Sequence, residues 1–291
     1  MARQEVTVAA DAGNTHGEGP VWSDSEQKLY WTDIETSTLW QLDPSGGRTR
    51  KWKMPEKVCS FAFRAQGGLL IAFASGLSFY DLETGAERRI CNIESELPTT
   101  RLNDGRCDRQ GRFIVGGFDS SGQNRSGAYR LDHDLSLHEL FRGLSSANST
   151  CFSPDGRVMY YANTPESAIW AFDYDIQSGA PAHRRVFCDF HGQPGTPDGS
   201  VIDEEGHLWN AQWNGARVVR YRPDGSIERI FEMPCPNPTS VAFGGPDLAT
   251  LYVTSSRLTL SAEQLTQWPL SGSLFAITPG VRGLPEDKFL G

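Results

Sequence analysis

No two cysteines of the 291-residue chain stand in a C-x-x-C spacing. The six that occur, Cys59, Cys91, Cys107, Cys151, Cys188 and Cys235, lie 16 to 47 residues apart. That spacing favours neither a zinc site nor a disulfide framework, and the expectation is buried thiols. Long apolar runs are also missing. The greasiest stretch, LLIAFASGL, falls far short of the ~20 residues that a spanning helix needs, and the opening MARQEVTVAADAGN has no apolar leader core. The expected location is the cytoplasm, with no membrane partner. Basic runs are absent as well: 27 basic against 36 acidic residues give a net charge of −9, which argues against nucleic acid as a partner. Neither a G-x-S-x-G elbow, nor H-E-x-x-H, nor a P-loop, nor G-x-G-x-x-G is present, so the common serine, zinc-protease and nucleotide chemistries lack their motifs.

Helical periodicity is scarce, whereas turn residues are dense, with 30 glycines and 17 prolines. The segment EEGHLWNAQWNGARVVRYRPDG reads as strand, Asn-Gly turn, strand, Pro-Asp-Gly turn. The same grammar recurs five more times. With Leu29, Leu69, Phe113, Val158, Leu208 and Leu251 as markers, the intervals are 40, 44, 45, 50 and 43 residues. Six four-stranded units at that period predict an all-β, six-bladed β-propeller forming a single domain over 1–291. A β-sandwich or an open multi-sheet protein gives no reason for the fixed long period.

Just before each marker strand lies a short apolar string: EGPVW, CSFAF, NDGRC, NSTCF, DGSVI and TSVAF. In a propeller these are the innermost strands, and their first residues, Glu18, Cys59, Asn103, Asn148, Asp198 and Thr239, form a ring around the central channel. Two carboxylates and two carboxamides converging there make a hard, oxygen-rich cation site in that channel. Such a set suits Ca²⁺, Mg²⁺ or Mn²⁺ and tolerates Zn²⁺ or Fe²⁺. The alternative is that Glu18 and Asp198 only cap nearby backbone amides, as turn residues in GEGP and TPDG. Cys59 is expected to pack rather than ligate, and His16 to be a surface loop residue. Trp213 either walls the pocket or joins the core. Arg101, two residues before Asn103, projects from the rim, where a guanidinium can hold a polyhydroxylated or anionic ligand; it serves equally as a surface partner of a loop acid. Metal-assisted hydrolysis is the chemistry this residue set most readily supports.

GEGPVW, RLNDGRCDRQGRF, FSPDGRVMYYANT…IWAFDYD and PDGSVIDEEGHLWNAQWNGARVVRYRPDG together resemble the senescence marker protein/gluconolactonase (regucalcin-like) family over nearly the whole chain. The resemblance implies a six-bladed propeller with one divalent cation and hydrolysis of a sugar (aldono-)lactone to the aldonic acid in carbohydrate catabolism. It implies Glu18, Asn148 and Asp198 as metal ligands, Asp198 as the base, and Arg101 and Asn103 on the substrate's hydroxyls. A phosphotriesterase-like hydrolase on the same centre, or a non-enzymatic calcium-binding propeller, are the other readings. The expected assembly is a monomer or weak homo-oligomer. Two departures stand out. Asn148 is followed by Ser-Thr where the family often has Gly-Leu. The loop GGFDSSGQNRSG carries Asp119, Ser120 and Ser121 where some animal members place a substrate-contacting glutamate. The pocket therefore differs from theirs, and the pattern fits bacterial members acting on various pentono- and hexonolactones.

Overall fold

The repeating unit is a four-stranded antiparallel meander, and the computed structural model, which describes residues 6–291, contains six of them. Strand β1, Val6–Ala10, precedes the first. The first meander is β2 Gly17–Ser23, β3 Lys28–Asp33, β4 Thr38–Asp43 and β5 Arg48–Lys53. The second is β6 Val58–Phe63, β7 Leu69–Phe73, β8 Gly76–Tyr80 and β9 Glu87–Asn92. The third is β10 Thr100–Cys107, β11 Phe113–Asp119, β12 Ser126–Leu131 and β13 Leu137–Leu144. The fourth is β14 Ala147–Phe152, β15 Val158–Asn163, β16 Ala168–Tyr174 and β17 Pro181–Asp189. The fifth is β18 Thr196–Ile202, β19 Leu208–Trp213, β20 Arg217–Tyr221 and β21 Ile227–Glu232. The sixth has β22 Pro238–Gly244, β23 Thr250–Ser255 and β24 Leu274–Ile277, and takes β1 as its fourth strand. These are the blades of a six-bladed β-propeller. Every marker residue falls in the second strand of its blade, and every inner string falls in the first.

The chain groups into two compact units. Among the described residues, one holds 6–57 and 190–285, hence blades one, five and six; the other holds 58–189 and 286–291, hence blades two, three and four. Within the first unit β22 packs against both β2 and β18; within the second, β10 packs against both β6 and β14. The first strands carry more buried residues than the fourth strands, as β6 (all but one residue buried) and β5 (none buried) illustrate. Apolar burial between sheets holds neighbouring blades together. Trp209 of β19, fully buried, stands edge-on to Phe243 of β22 at 5.8 Å and tilted against Phe231 of β21 at 5.3 Å. One such ring contributes roughly 2–3 kcal/mol of burial.

The turn after each inner strand needs a partner for its buried amides, and two blades supply it with an aspartate. Asp203 accepts from the amides of Glu205 (3.0 Å) and His207 (2.9 Å), from Trp209 Nε1 (2.9 Å) and from Arg220 Nη2 (2.7 Å). Asp108 does the same for Gln110 and Arg112, with Tyr174 Oη and Arg112 Nε on its other oxygen. Buried charges persist here because every oxygen is paired. The six cysteines form no disulfide, and five are buried. Among the described residues no helix is long and apolar enough to cross a membrane.

Candidate metal and substrate site

Each inner strand breaks register with its neighbour at the candidate ring position. The irregularities fall between Glu18 and Val21, Val58 and Ser60, Leu102 and Gly105, Asn148 and Cys151, Pro197 and Ser200, and Pro238 and Val241. A bulge bends the strand and re-aims a side chain out of the pleat, which is how one position per blade departs from simple alternation. Directly after Glu18 and Asn148 the chain turns left-handed, with φ of +51° at Gly19 and +58° at Ser149. Glycine takes that conformation freely, whereas serine pays about 1 kcal/mol for it. The sequence departure at Ser149 thus sits where the backbone demands most.

In the unit with blades two to four, Arg101, Asn103 and Asn148 form one chain of hydrogen bonds. Arg101 Nη1 donates to Asn103 Oδ1 at 2.6 Å and to the Leu102 carbonyl at 2.8 Å. Asn103 Nδ2 donates to the Ala147 carbonyl at 2.8 Å and to Asn148 Oδ1 at 3.3 Å. Asn148 Nδ2 in turn donates to Thr164 Oγ1 at 2.8 Å. The network fixes which end of each amide is oxygen. The Asn148 nitrogen is committed to Thr164, so its Oδ1, with two lone pairs, is the end available to a cation. Asn103 has both ends engaged and acts on Asn148. Arg101 also lies over the Phe118 ring at 4.6 Å and is no surface arginine bridging to a loop acid. Sequence reasoning missed Asp104, the residue after Asn103, whose carboxylate accepts from the Thr150 amide at 2.7 Å and ties β10 to β14. Burial raises its carboxyl despite that bond. Cys59 is buried, with its Sγ 3.9 Å from Arg101 Nη1.

In the unit with blades one, five and six, Glu18 and Asp198 stand on β2 and β18, on either side of β22. Glu18 Oε2 accepts from the Gly19 amide at 2.9 Å, so part of the capping reading holds for it. Asp198 is buried, and its bulge is held by Asn210, whose Nδ2 donates to the Asp198 carbonyl (3.0 Å), the Gly199 carbonyl (3.3 Å) and Ser200 Oγ (3.0 Å). The glycine of the PDG turn has a steric reason: a Cβ on Gly199 would lie 2.1 Å from Ser240 Oγ and 2.8 Å from Ser240 Cα on β22. Thr239, the sixth ring position, turns its hydroxyl to the Gly17 carbonyl at 2.5 Å.

His16 is not the surface loop residue expected. It is buried, bridges to Ser256 across the sheet edge, and meets Trp213 edge-on at 5.7 Å. Nor does the Asp119 loop offer its acid outward. The Asp119 carboxylate is buried and accepts from Thr99 Oγ1 (2.7 Å), Ser121 Oγ (2.6 Å) and the amides of Ser121 and Arg125 (both 3.1 Å). Burial works to raise this carboxyl, but those hydrogen bonds outweigh it and hold it well below the usual range.

Among the described residues no three His, Cys, Asp or Glu side chains cluster as a metal site of their own. The candidate donors, two carboxylates and an oriented amide, are all hard oxygens and fit Ca²⁺, Mg²⁺ or Mn²⁺. Burial pushes the Cys151 and Cys235 thiols up to about 12, which leaves them without thiolate character near neutrality. A cavity of about 360 Å³ opens between blades three and four, lined by Phe141, Tyr161, Trp170 and Phe172, and holds none of the candidate residues.

A model of the SMP-30/gluconolactonase/LRE-like region matches residues 16–257, which include all five candidate residues. An L-arabinolactonase of Azospirillum brasilense is 41% identical over 99% of this chain and 96% of its own length. A 6-deoxy-6-sulfogluconolactonase of Pseudomonas putida is 38% identical over 94% of this chain and 95% of its own. Among solved structures, a calcium-binding regucalcin from Agrobacterium tumefaciens superposes with a TM-score of 0.94 at 32% identity, covering 98% of this chain and 97% of that one.

Proposed function

The chain belongs to the SMP-30/gluconolactonase/LRE-like family, and we propose that within it the protein is a divalent-cation-dependent hydrolase that opens a sugar lactone to its aldonic acid. The observation that carries this reading is the match, over nearly the full length of both chains, to proteins named for the hydrolysis of sugar lactones. Glu18, Asp198 and Asn148 Oδ1 are the groups to hold the cation. The fixed Asn148 amide supports this assignment, and the likeness to a calcium-binding regucalcin supports a divalent cation. Bound there, the cation would polarise the lactone carbonyl and stabilise negative charge developing on its oxygen.

The chain's own groups supply the rest. The Asp198 carboxylate takes a proton from the attacking water as the water oxygen bonds to the carbonyl carbon, and gives it to the ring oxygen as the bond from that oxygen to the carbonyl carbon breaks. Arg101, held by its contacts to Leu102 and Asn103, directs its remaining guanidinium N–H groups to the substrate's hydroxyls. Asn103 holds Arg101 and Asn148 in place and, with the second lone pair of its Oδ1, meets the same hydroxyls.

Proton release from a panel of pentono- and hexonolactones tests the proposal, using metal-stripped protein, metal-restored protein and Asp198→Asn. The expected result is turnover that needs the metal and is lost in the variant. If no lactone opens above its spontaneous rate with metal present, the proposal fails.

A further inference from the structure

We infer that Asp33 and Asn163 are positioning residues of the cation site: each clamps the backbone that leads into one proposed ligand, Asp33 for Glu18 and Asn163 for Asn148. The inference rests on the cation-dependent reading above and adds to it two buried side chains outside the five candidate residues.

The repeat brings the pair out. Asp33 stands opposite Gly17 on the paired strands, and Asn163 opposite Ala147, so both occupy the place across from the residue just before the ring position. Asp33 accepts from the amides of Thr15 at 2.9 Å and His16 at 3.0 Å, and at 3.5 Å from that of Thr36. Asn163 Oδ1 accepts from the amides of Ser145 and Ser146, both at 3.0 Å. Counted back from each ligand, these are the same two residues, the third and the second before it. A backbone bond closes each clamp: the Ile34 amide donates to the His16 carbonyl at 3.0 Å, and the Thr164 amide to the Ser146 carbonyl at 2.9 Å. The Asn163 amide is held the right way round, because its Nδ2 donates to Glu166 Oε1 at 3.0 Å.

The other four blades lack the clamp. In blades two, three, five and six the same place holds Phe73, Gly117, Gln212 and Ser255. Phenylalanine and glycine bring no acceptor. Gln212 donates to Tyr221 Oη at 2.8 Å and accepts from Arg217 Nε at 2.5 Å, while Ser255 gives its proton to the Ser273 carbonyl at 2.6 Å. Nor does the left-handed turn that follows Glu18 and Asn148 recur after the other four ring residues. Glu18 and Asn148 are thus fixed by a clamp before them and a turn after them, and a purely structural device would have no reason to single out these two blades. Asp198 is mounted differently, through Asn210 and the close approach of Gly199 to Ser240. A cation is sensitive to where its oxygens are held, and groups that orient the ligands matter to affinity nearly as much as the ligands do.

The test pairs Asp33→Ala and Asn163→Ala with the rescuing swaps Asp33→Asn and Asn163→Asp, and takes Ser255→Ala as the control from the same place in blade six. Calorimetric titration of Ca²⁺ and Mn²⁺ into metal-stripped protein is the first readout. The expected affinity is about tenfold or more weaker in each alanine variant and unchanged in Ser255→Ala. Each swap should restore it to within roughly threefold of wild type, since one oxygen serves both amides in blade four. Amide hydrogen exchange of the wild type is the second readout and needs no variant to fold. Coupling is reciprocal, so a clamp that favours the cation is tightened by it. Exchange at Thr15, His16, Ser145 and Ser146 should slow on adding Ca²⁺ by more than at Ser256, whose amide makes the corresponding backbone bond in blade six, to the Asn237 carbonyl at 3.0 Å. The inference is overturned if the alanine variants bind the cation as wild type does, if Ser255→Ala weakens it equally, or if the four amides slow no more than Ser256. Wild type that binds neither cation overturns it together with the cation site. Cation binding that depends on both clamps without any lactone turnover sustains the clamps and rejects the lactonase reading, which keeps the two failures apart.

Discussion

Replacing Thr164 with valine removes one hydroxyl and changes the side chain's volume little. That hydroxyl accepts from Asn148 Nδ2 at 2.8 Å, and the other acceptor near the nitrogen, Ser146 Oγ, is at 3.5 Å, the outer limit of a hydrogen bond. An asparagine amide is nearly symmetric in shape, so its orientation is decided by hydrogen bonds alone. Losing the shorter bond removes about 1 kcal/mol of preference and lets the amide turn its NH₂ toward the position a cation would take. The expected consequence is a cation affinity roughly five- to tenfold weaker, with the melting temperature little changed because Thr164 is half-exposed. Titration calorimetry of Ca²⁺ and Mn²⁺ into metal-stripped protein reads this directly, with Asn148→Ala as the variant that lacks the oxygen altogether. If Thr164→Val binds as wild type does while Asn148→Ala is weakened, Thr164 does not set the amide. If neither is weakened, Asn148 is not a ligand.

Gly199→Ala forces a methyl against the Ser240 backbone and should destabilise by about 2 kcal/mol or more through displacement of β18 from β22, read as a lower melting temperature together with weaker cation binding. Asp203→Ala leaves Arg220, 2% exposed, beside Glu205 and Glu228 alone; the loss of about 3 kcal/mol or more should lower the melting temperature by roughly 6–10 °C, and a change under ~1 °C would refute the buried-network account. Asp119 has a folded-state pKa depressed below its unfolded one, so its contribution is complete above roughly pH 4 and is lost as pH falls through the folded value. Thermal melts of wild type and Asp119→Asn should therefore differ by a constant gap from pH 5 to 8, and the gap should narrow below pH 4; a gap that widens on acidification would contradict the hydrogen-bond assignment.

The propeller was legible because blades repeat: a strand, a turn and an inner string recur at 40 to 50 residues, and each marker fell where the period put it. The closing strand was not. VTVAA carries no turn punctuation, and its partner β24 lies some 270 residues away in sequence, so nothing local says that it completes blade six. That Glu18, Asn103, Asn148 and Asp198 stand on inner strands at one bulged position per blade was legible for the same reason as the fold, being one residue per repeat. Their orientation was not, since a sequence cannot tell which end of Asn148 meets Thr164. His16 was misread because its isolation in the chain suggested exposure, while its burial comes from Ser256, 240 residues on. Asp119 ends β11 beside a loop rich in serine and glycine, which reads as surface, yet the hydroxyl and amide of Ser121 in that loop help make a buried carboxylate tenable there.

The proposed chemistry requires that Glu18, Asn148 and Asp198 together hold one cation. Anomalous diffraction from crystals grown with Mn²⁺ tests it most directly. One strong peak is expected at ~2.0–2.6 Å from an oxygen of each of the three side chains. A peak elsewhere in the molecule, or one that Asn148 Oδ1 does not reach, would contradict it.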